Sequence, residues 1–382
     1  MGKAHLFDSI AAGIIGAALL AFTAVSLFDT DKTVSITENR ELAPRPCWTL
    51  DTWLSGRFTL DYETYLSDTL PLRDGFFALS NSVNRYFKEL GVTGGRWIGS
   101  RFLYRDMAMG LYIPESEAIF AFADAVGAFA DAHPDLRVAV LPAPASFSFY
   151  APDAYKSPEN DAEGKYREIL QALPSSVTGV DAYSALEAHR DEYIYFRTDY
   201  HWTQTGAYYA YTAFCKAVGI SPAPLSDFRR AVAPYEFVGA LAREMQYPEE
   251  LTENPDYIEL FYPDDTVTAS AGDWPELIPR ELCLVGGEIS DGDYLFSLFM
   301  EGDHALAQIN SQSDGGTLLV IKISHANPLS PFLARHYSRI IYLDPRYYKG
   351  SLSEFLNSQA VDDVLILPKM LLDSGFSEFL LS

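Results

Sequence analysis

Cysteine is nearly absent: Cys47, Cys215 and Cys283 are the only three in 382 residues. They lie far apart and form no CxxC, so at most one disulfide is possible and neither a disulfide framework nor a cysteine zinc site follows. Basic residues are also few. Lys and Arg total 28 against 52 Asp and Glu, a formal charge of −24, which repels phosphate backbones and argues against nucleic-acid partners. The chain has no HExxH and no paired metal spacing, and it lacks a P-loop and GxGxxG, so no metal, nucleotide or other cofactor is expected. GxSxG is missing as well, which excludes a standard α/β-hydrolase elbow. There is no internal repeat and no long low-complexity tract. A hydrophobic content of 48% with 24 Tyr and 24 Phe supplies a packed core and excludes wholesale disorder.

What is present begins with an apolar run. Ile10–Phe28 reads IAAGIIGAALLAFTAVSLF, nineteen residues without a charge. That length crosses a hydrocarbon core of about 30 Å as a helix. The reading is a signal anchor, with a cleaved signal as the alternative because Ala24 and Ser26 offer a small-x-small site. Lys3 favours an inside amino end. The expected organisation is a cytoplasmic 1–9, a transmembrane 10–28, a polar linker 29–47 carrying Pro44 and Pro46, and an extracytoplasmic domain 48–382. The protein is then held at the cell membrane in a single pass, or secreted if the signal is cleaved. The stretch Pro222–Pro234 reads as an insertion within one domain.

Beyond the linker, helix and strand alternate. Ser116 is placed to cap a helix running to His133-Pro134, followed by the strand run LRVAVLPAP. Helical spacing returns at Lys165–Leu173, and Val177–Val180 is a strand candidate. Thr203 starts an amphipathic helix that Gly219 closes as a left-handed cap. The runs TLLVIK, RIIYLD and VDDVLILP are apolar strand candidates separated by helical stretches at Pro328–His336 and Leu352–Gln359. This alternation predicts an α/β domain with a mostly parallel sheet, whose sites collect at the carboxyl ends of the strands.

Two segments carry candidate chemistry. In YFRTDYHW, residues 195–202, Asp199 and His201 lie two apart just before the Thr203 helix. A carboxylate there can accept the imidazole Nδ1–H and leave the other ring nitrogen as a base. The plainer reading is an Asp that caps the helix and a His bonded within a turn. Trp202 would supply an apolar wall. In IKISHANP, residues 321–328, Ser324 follows a buried strand and precedes a helix. A serine there has an exposed hydroxyl and nearby N–H groups for an oxyanion, or it simply caps the helix. Ser146, after another strand but without a helix start beside it, reads as loop.

The segment YFRTDYHWTQTGAYYAY resembles the name-giving motif of the DHHW protein family, with Asp199-Tyr200-His201-Trp202 where members typically read D-H-H-W. ENRELAPRP, DTLPLRDGFFALSN, the Asn254–Tyr257 stretch and IKISHANPLSPFLARHYSRIIYLDPRYY agree in order. These exported proteins are similar to the SGNH-like domain of the alginate O-acetyltransferase family. The resemblance implies an SGNH hydrolase-like three-layer α/β fold with a mostly parallel sheet, preceded by one N-terminal transmembrane helix. It implies a triad of Asp199, His201 and Ser324. Members usually have an acidic residue before the serine and an aromatic after it, where this chain has Ile323 and His325.

The function this implies is a membrane-anchored O-acyltransferase or esterase acting on O-acyl groups of a cell-envelope polysaccharide. A membrane-bound acyltransferase partner would deliver the acyl groups. In that expectation the Ser324 N–H and Asn327 stabilise the oxyanion. Arg346 with Tyr347 holds a sugar hydroxyl or an anionic donor, unless Arg197 and Arg346 merely pair with carboxylates. The alternative is a noncatalytic glycan-binding or scaffold protein on a degenerate SGNH-like fold, with Trp202, Tyr347 and Tyr348 stacking on sugars.

Overall fold

The computed structural model describes residues 34–35, 40–41, 43–54, 57–68, 94–98, 101–264, 266–287, 295–370, 372 and 374–382. The expected membrane-spanning helix at 10–28, its small-x-small site and most of 29–47 lie outside the described residues, as does nearly all of DTLPLRDGFFALSN. Among the described residues no helix is long and apolar enough to cross a membrane. The three cysteines are free thiols.

The chain forms two compact units, 1–93 with 243–248, and 94–242 with 249–382. In the first, β1 (Val34–Ser35) pairs antiparallel with β2 (Arg40–Glu41), and helices α1 (Leu50–Leu54) and α2 (Arg57–Asp68) follow. The second unit opens with an antiparallel meander of β3 (Arg96–Ile98), β4 (Arg101–Tyr104) and β5 (Met107–Gly110).

A mixed eight-stranded sheet forms the centre of this unit. Its strands are β6 (Arg137–Val140), β7 (Thr178–Gly179), β10 (Thr268–Gly272), β11 (Arg280–Glu281), β12 (Leu306–Asn310), β13 (Thr317–Lys322), β14 (Arg339–Leu343) and β15 (Asp363–Leu367). The intervening β8 (Arg229–Val232) and β9 (Glu259–Tyr262) make a separate antiparallel pair, of which only β8 lies within the Pro222–Pro234 stretch. The order is β11-β10-β12-β14-β13-β15-β6-β7. From β14 to β7 all neighbours are parallel; β12, β10 and β11 extend the sheet antiparallel. All five residues of β15 are buried, and all but the first in β13 and β14. Burial on both faces is what continuous Val/Ile/Leu runs signal. The side chains of these strands join one core with the apolar faces of helices α3 (Ser116–Ala132), α4 (Ala162–Ala172), α5 (Gln204–Val218) and α6 (Leu352–Ser358).

Several boundaries differ from the sequence expectation. Glu115 occupies the cap position of α3 and makes no side-chain cap bond. Ser116 sits inside the first turn, where its Oγ accepts from Lys165 Nζ at 2.8 Å. Ser146 does adjoin a helix start, that of the short helix Phe147–Tyr150, so it is not plain loop. The expected helix at Pro328–His336 is a 3-10 turn over Ser324–Leu329 running into Ser330–Leu333. At α5 the expectation and the structure agree: Thr203 Oγ1 accepts from Gly206 N at 3.2 Å, and Gly219 closes the helix at φ 77°.

Candidate active site

The site is built from two turns. The first is the loop between Ile194 and Thr203, folded back so that Tyr195 bridges Trp202 and Thr203 N donates to Ile194 O. Gly206 is needed beneath it, because a Cβ there would fall 2.2 Å from the Ile194 carbonyl. Asp199 lies at the tip. Its Oδ1 accepts from His201 N at 3.0 Å, an Asx turn, and from His201 Nδ1 at 2.7 Å. Its Oδ2 accepts from Ala240 N at 2.7 Å. One carboxylate therefore fixes the local backbone and the imidazole together.

The second turn begins where β13 ends. Ile323 is extended, and Ser324 is the first residue of the 3-10 turn, so its N–H has no acceptor within that turn. Ser324 Oγ lies 2.7 Å from His201 Nε2. Because a carboxylate only accepts, Nδ1 carries the imidazole proton and Nε2 presents its lone pair to the serine O–H. The ring is confined by Phe296, stacked at 3.8 Å and 15°. Asp199 and His201 are wholly buried, and Ser324 keeps 8% exposure.

Trp202 and Gln204 lock the two turns together. Trp202 Nε1 donates to His325 O at 2.9 Å, while Gln204 Nε2 donates to the Pro328 and Phe261 carbonyls. Trp202 is fully buried. It is therefore a fastening for the serine turn and has no face free for a sugar. Tyr348 is buried as well, packed against Trp274, Phe355 and Phe379. Tyr347 alone of the expected stacking residues is exposed, at 47%.

Asn327 and Arg346 are brought to a neighbouring cluster with other work. Asn327 Nδ2 donates to Gly302 O at 3.0 Å and to Asp303 Oδ1 at 3.1 Å. Both amide hydrogens are thus engaged, which takes Asn327 out of the oxyanion role and leaves the Ser324 N–H. Lys322 Nζ is held between Asp303 and Asp344, at 2.5 and 3.2 Å. Arg346 reaches both carboxylates at 2.6 Å. Burial alone would raise the Asp303 pKa, but Lys322 and Arg346 hold it well below the usual carboxylate range. Arg197 is bound by Asp256 and Asp106. The pairing alternative describes both arginines. Among the described residues no group of His, Cys, Asp and Glu is placed to hold a metal ion.

The sequence model of the DHHW protein family matches residues 167–343, a stretch that includes both turns. Over these residues the chain is similar to the DHHW protein family. Among solved structures it is similar to a DHHW family protein from Eubacterium siraeum, at 25% identity and TM-score 0.67, covering 76% of this chain and 99% of that one. It is also similar in fold to Bacillus cereus PatB1 with a sulfonyl adduct, at 16% identity and TM-score 0.60, covering 75% and 99%. No curated protein matches the sequence.

Around this site, sequence reasoning passed over several supporting residues. Asp256 is buried and accepts from Tyr193 OH, Arg197 N and Thr198 N and Oγ1, so it holds the strand of chain entering Asp199. Its signal was available, since Asn254–Tyr257 is one of the segments that carry the resemblance. Gly239 and Phe296 had no such signal. A Cβ on Gly239 would lie 2.4 Å from Asp199 Cβ, so only glycine lets the Ala240 N–H reach the carboxylate.

Proposed function

We propose that this protein is a serine-dependent O-acyltransferase or esterase acting on O-acyl groups of a cell-envelope polysaccharide. In this reading the Ile10–Phe28 segment anchors an SGNH-like domain outside the cytoplasmic membrane, and a membrane-bound acyltransferase supplies the donor. One observation carries the catalytic part: the unbroken hydrogen-bonded series Asp199–His201–Ser324, with 2.7 Å at each link. His201 Nε2 takes the proton as Ser324 Oγ attacks the acyl carbonyl, and Asp199 stabilises the imidazolium that forms. The Ser324 N–H faces the developing oxyanion. Collapse expels the donor's leaving group with the proton from His201 and leaves an acyl-serine. A glycan hydroxyl, or water in an esterase, then gives its proton to His201 and takes the acyl group.

The test is turnover of a chromogenic acetyl ester with and without a neutral oligosaccharide acceptor. Ser324→Ala is expected to abolish turnover while binding persists. Undiminished turnover by that variant would remove the nucleophile assignment, and no turnover by the wild type would favour the noncatalytic glycan-binding alternative.

A further inference from the structure

The side chain of His325, next to the candidate nucleophile, is used by nothing described so far. It is buried, 7% exposed, with its ring 4.4 Å from that of His201 and tilted 44° to it. The ring is hydrogen-bonded to the Tyr200 backbone, while Nδ1 is buried with no hydrogen-bond partner among the described residues. A buried polar atom left unpaired is destabilising, so such an atom beside a reactive group points to a ligand that completes it. Burial, and after it the neighbouring His201, push the His325 pKa well below its ordinary value. The ring is therefore neutral. With Nδ1 unpaired, the bond to Tyr200 falls to the other ring nitrogen, whose N–H donates to the carbonyl, so Nδ1 is an acceptor that asks for an O–H or N–H donor.

We infer that His325 Nδ1 binds a second hydroxyl of the acyl acceptor, adjacent to the one that attacks, and so selects vicinal diols such as sugar ring hydroxyls. This rests on the acyl-serine reading above. The attacking hydroxyl forms the new ester bond to the acyl carbonyl carbon and passes its proton to His201 Nε2. The acyl–Ser324 bond breaks, and Ser324 Oγ recovers the proton from His201. The neighbouring hydroxyl keeps its proton throughout and donates it as a hydrogen bond to His325 Nδ1. His201 and His325, ring against ring, thus address two oxygens on adjacent carbons. Water and simple alcohols offer only one.

The experiment partitions the acetyl-enzyme formed from a chromogenic acetyl ester between methanol, ethylene glycol and 2-methoxyethanol, using the full-length protein. The wild type is expected to prefer ethylene glycol over 2-methoxyethanol about tenfold per hydroxyl, the worth of one buried hydrogen bond. His325→Phe keeps a ring but no acceptor and is expected to lose that preference, whatever it does to the overall rate. His325→Asn, whose amide can stand in for Nδ1, is expected to restore part of it. Equal transfer to the diol and to its methyl ether by the wild type overturns this inference alone, and needs no variant to fold. A preference that His325→Phe retains does the same. A wild type that forms no acetyl-enzyme overturns the reading of the previous subsection together with this one.

Discussion

A carboxylate placed two residues before a histidine serves two bonds at once. Asp199 closes its own turn through the His201 N–H and aligns the imidazole through Nδ1. The D-x-H spacing made this legible in the sequence, because a short side chain reaches the N–H two residues on. What sequence could not supply is the wall behind Asp199. Gly239 is forty residues away along the chain, and nothing in its neighbours marks it. Gly239→Ala would put a methyl group 2.4 Å from Asp199 Cβ, so the carboxylate must shift. Displacement of a catalytic group by about 1 Å costs on the order of 100-fold in rate. The expected outcome is an ester kcat lowered by roughly that factor, with an unchanged circular dichroism spectrum. Wild-type kinetics would show that Asp199 tolerates the movement.

At the scale of elements, β13 and the turn after it place the serine. TLLVIK, RIIYLD and VDDVLILP were readable as strands because burial on both faces demands continuous apolar residues. The antiparallel side was not readable. β10 is TASAG and β12 is LAQIN, five residues each, with little apolar bulk and no clean alternation. They join the sheet because β14 offers a free edge, which is tertiary context and not a local preference. Basic residues near Ser324 were ambiguous for a related reason. With carboxylates almost twice as numerous as cations, a cation at a strand end has an acid within reach, and Lys322 and Arg346 both found Asp303 and Asp344. Lys322→Met leaves the buried Asp344 and the largely buried Asp303 with Arg346 as their remaining cation. Breaking a buried pair from one side costs about 3–5 kcal/mol, expected as a loss of that size in urea unfolding. A change under about 0.5 kcal/mol would class the cluster with ordinary surface pairs.

For the whole molecule, charge and placement act together. The excess of 24 negative charges disfavours polyanionic acceptors, and the cations nearest Ser324 are already paired, so no basic strip offsets that field at the described site. The large sheet brings Ser324, at the end of β13, to the loop before α5, across 123 residues of chain. That long-range meeting is what the central claim depends on. Its most direct test is to treat the full-length protein with phenylmethylsulfonyl fluoride and map the adduct by peptide mass spectrometry. A single sulfonyl group on Ser324 is expected, absent in Ser324→Ala and formed far more slowly in His201→Ala. Labelling of another serine such as Ser146, or no labelling of Ser324 in the folded wild type, would contradict the account.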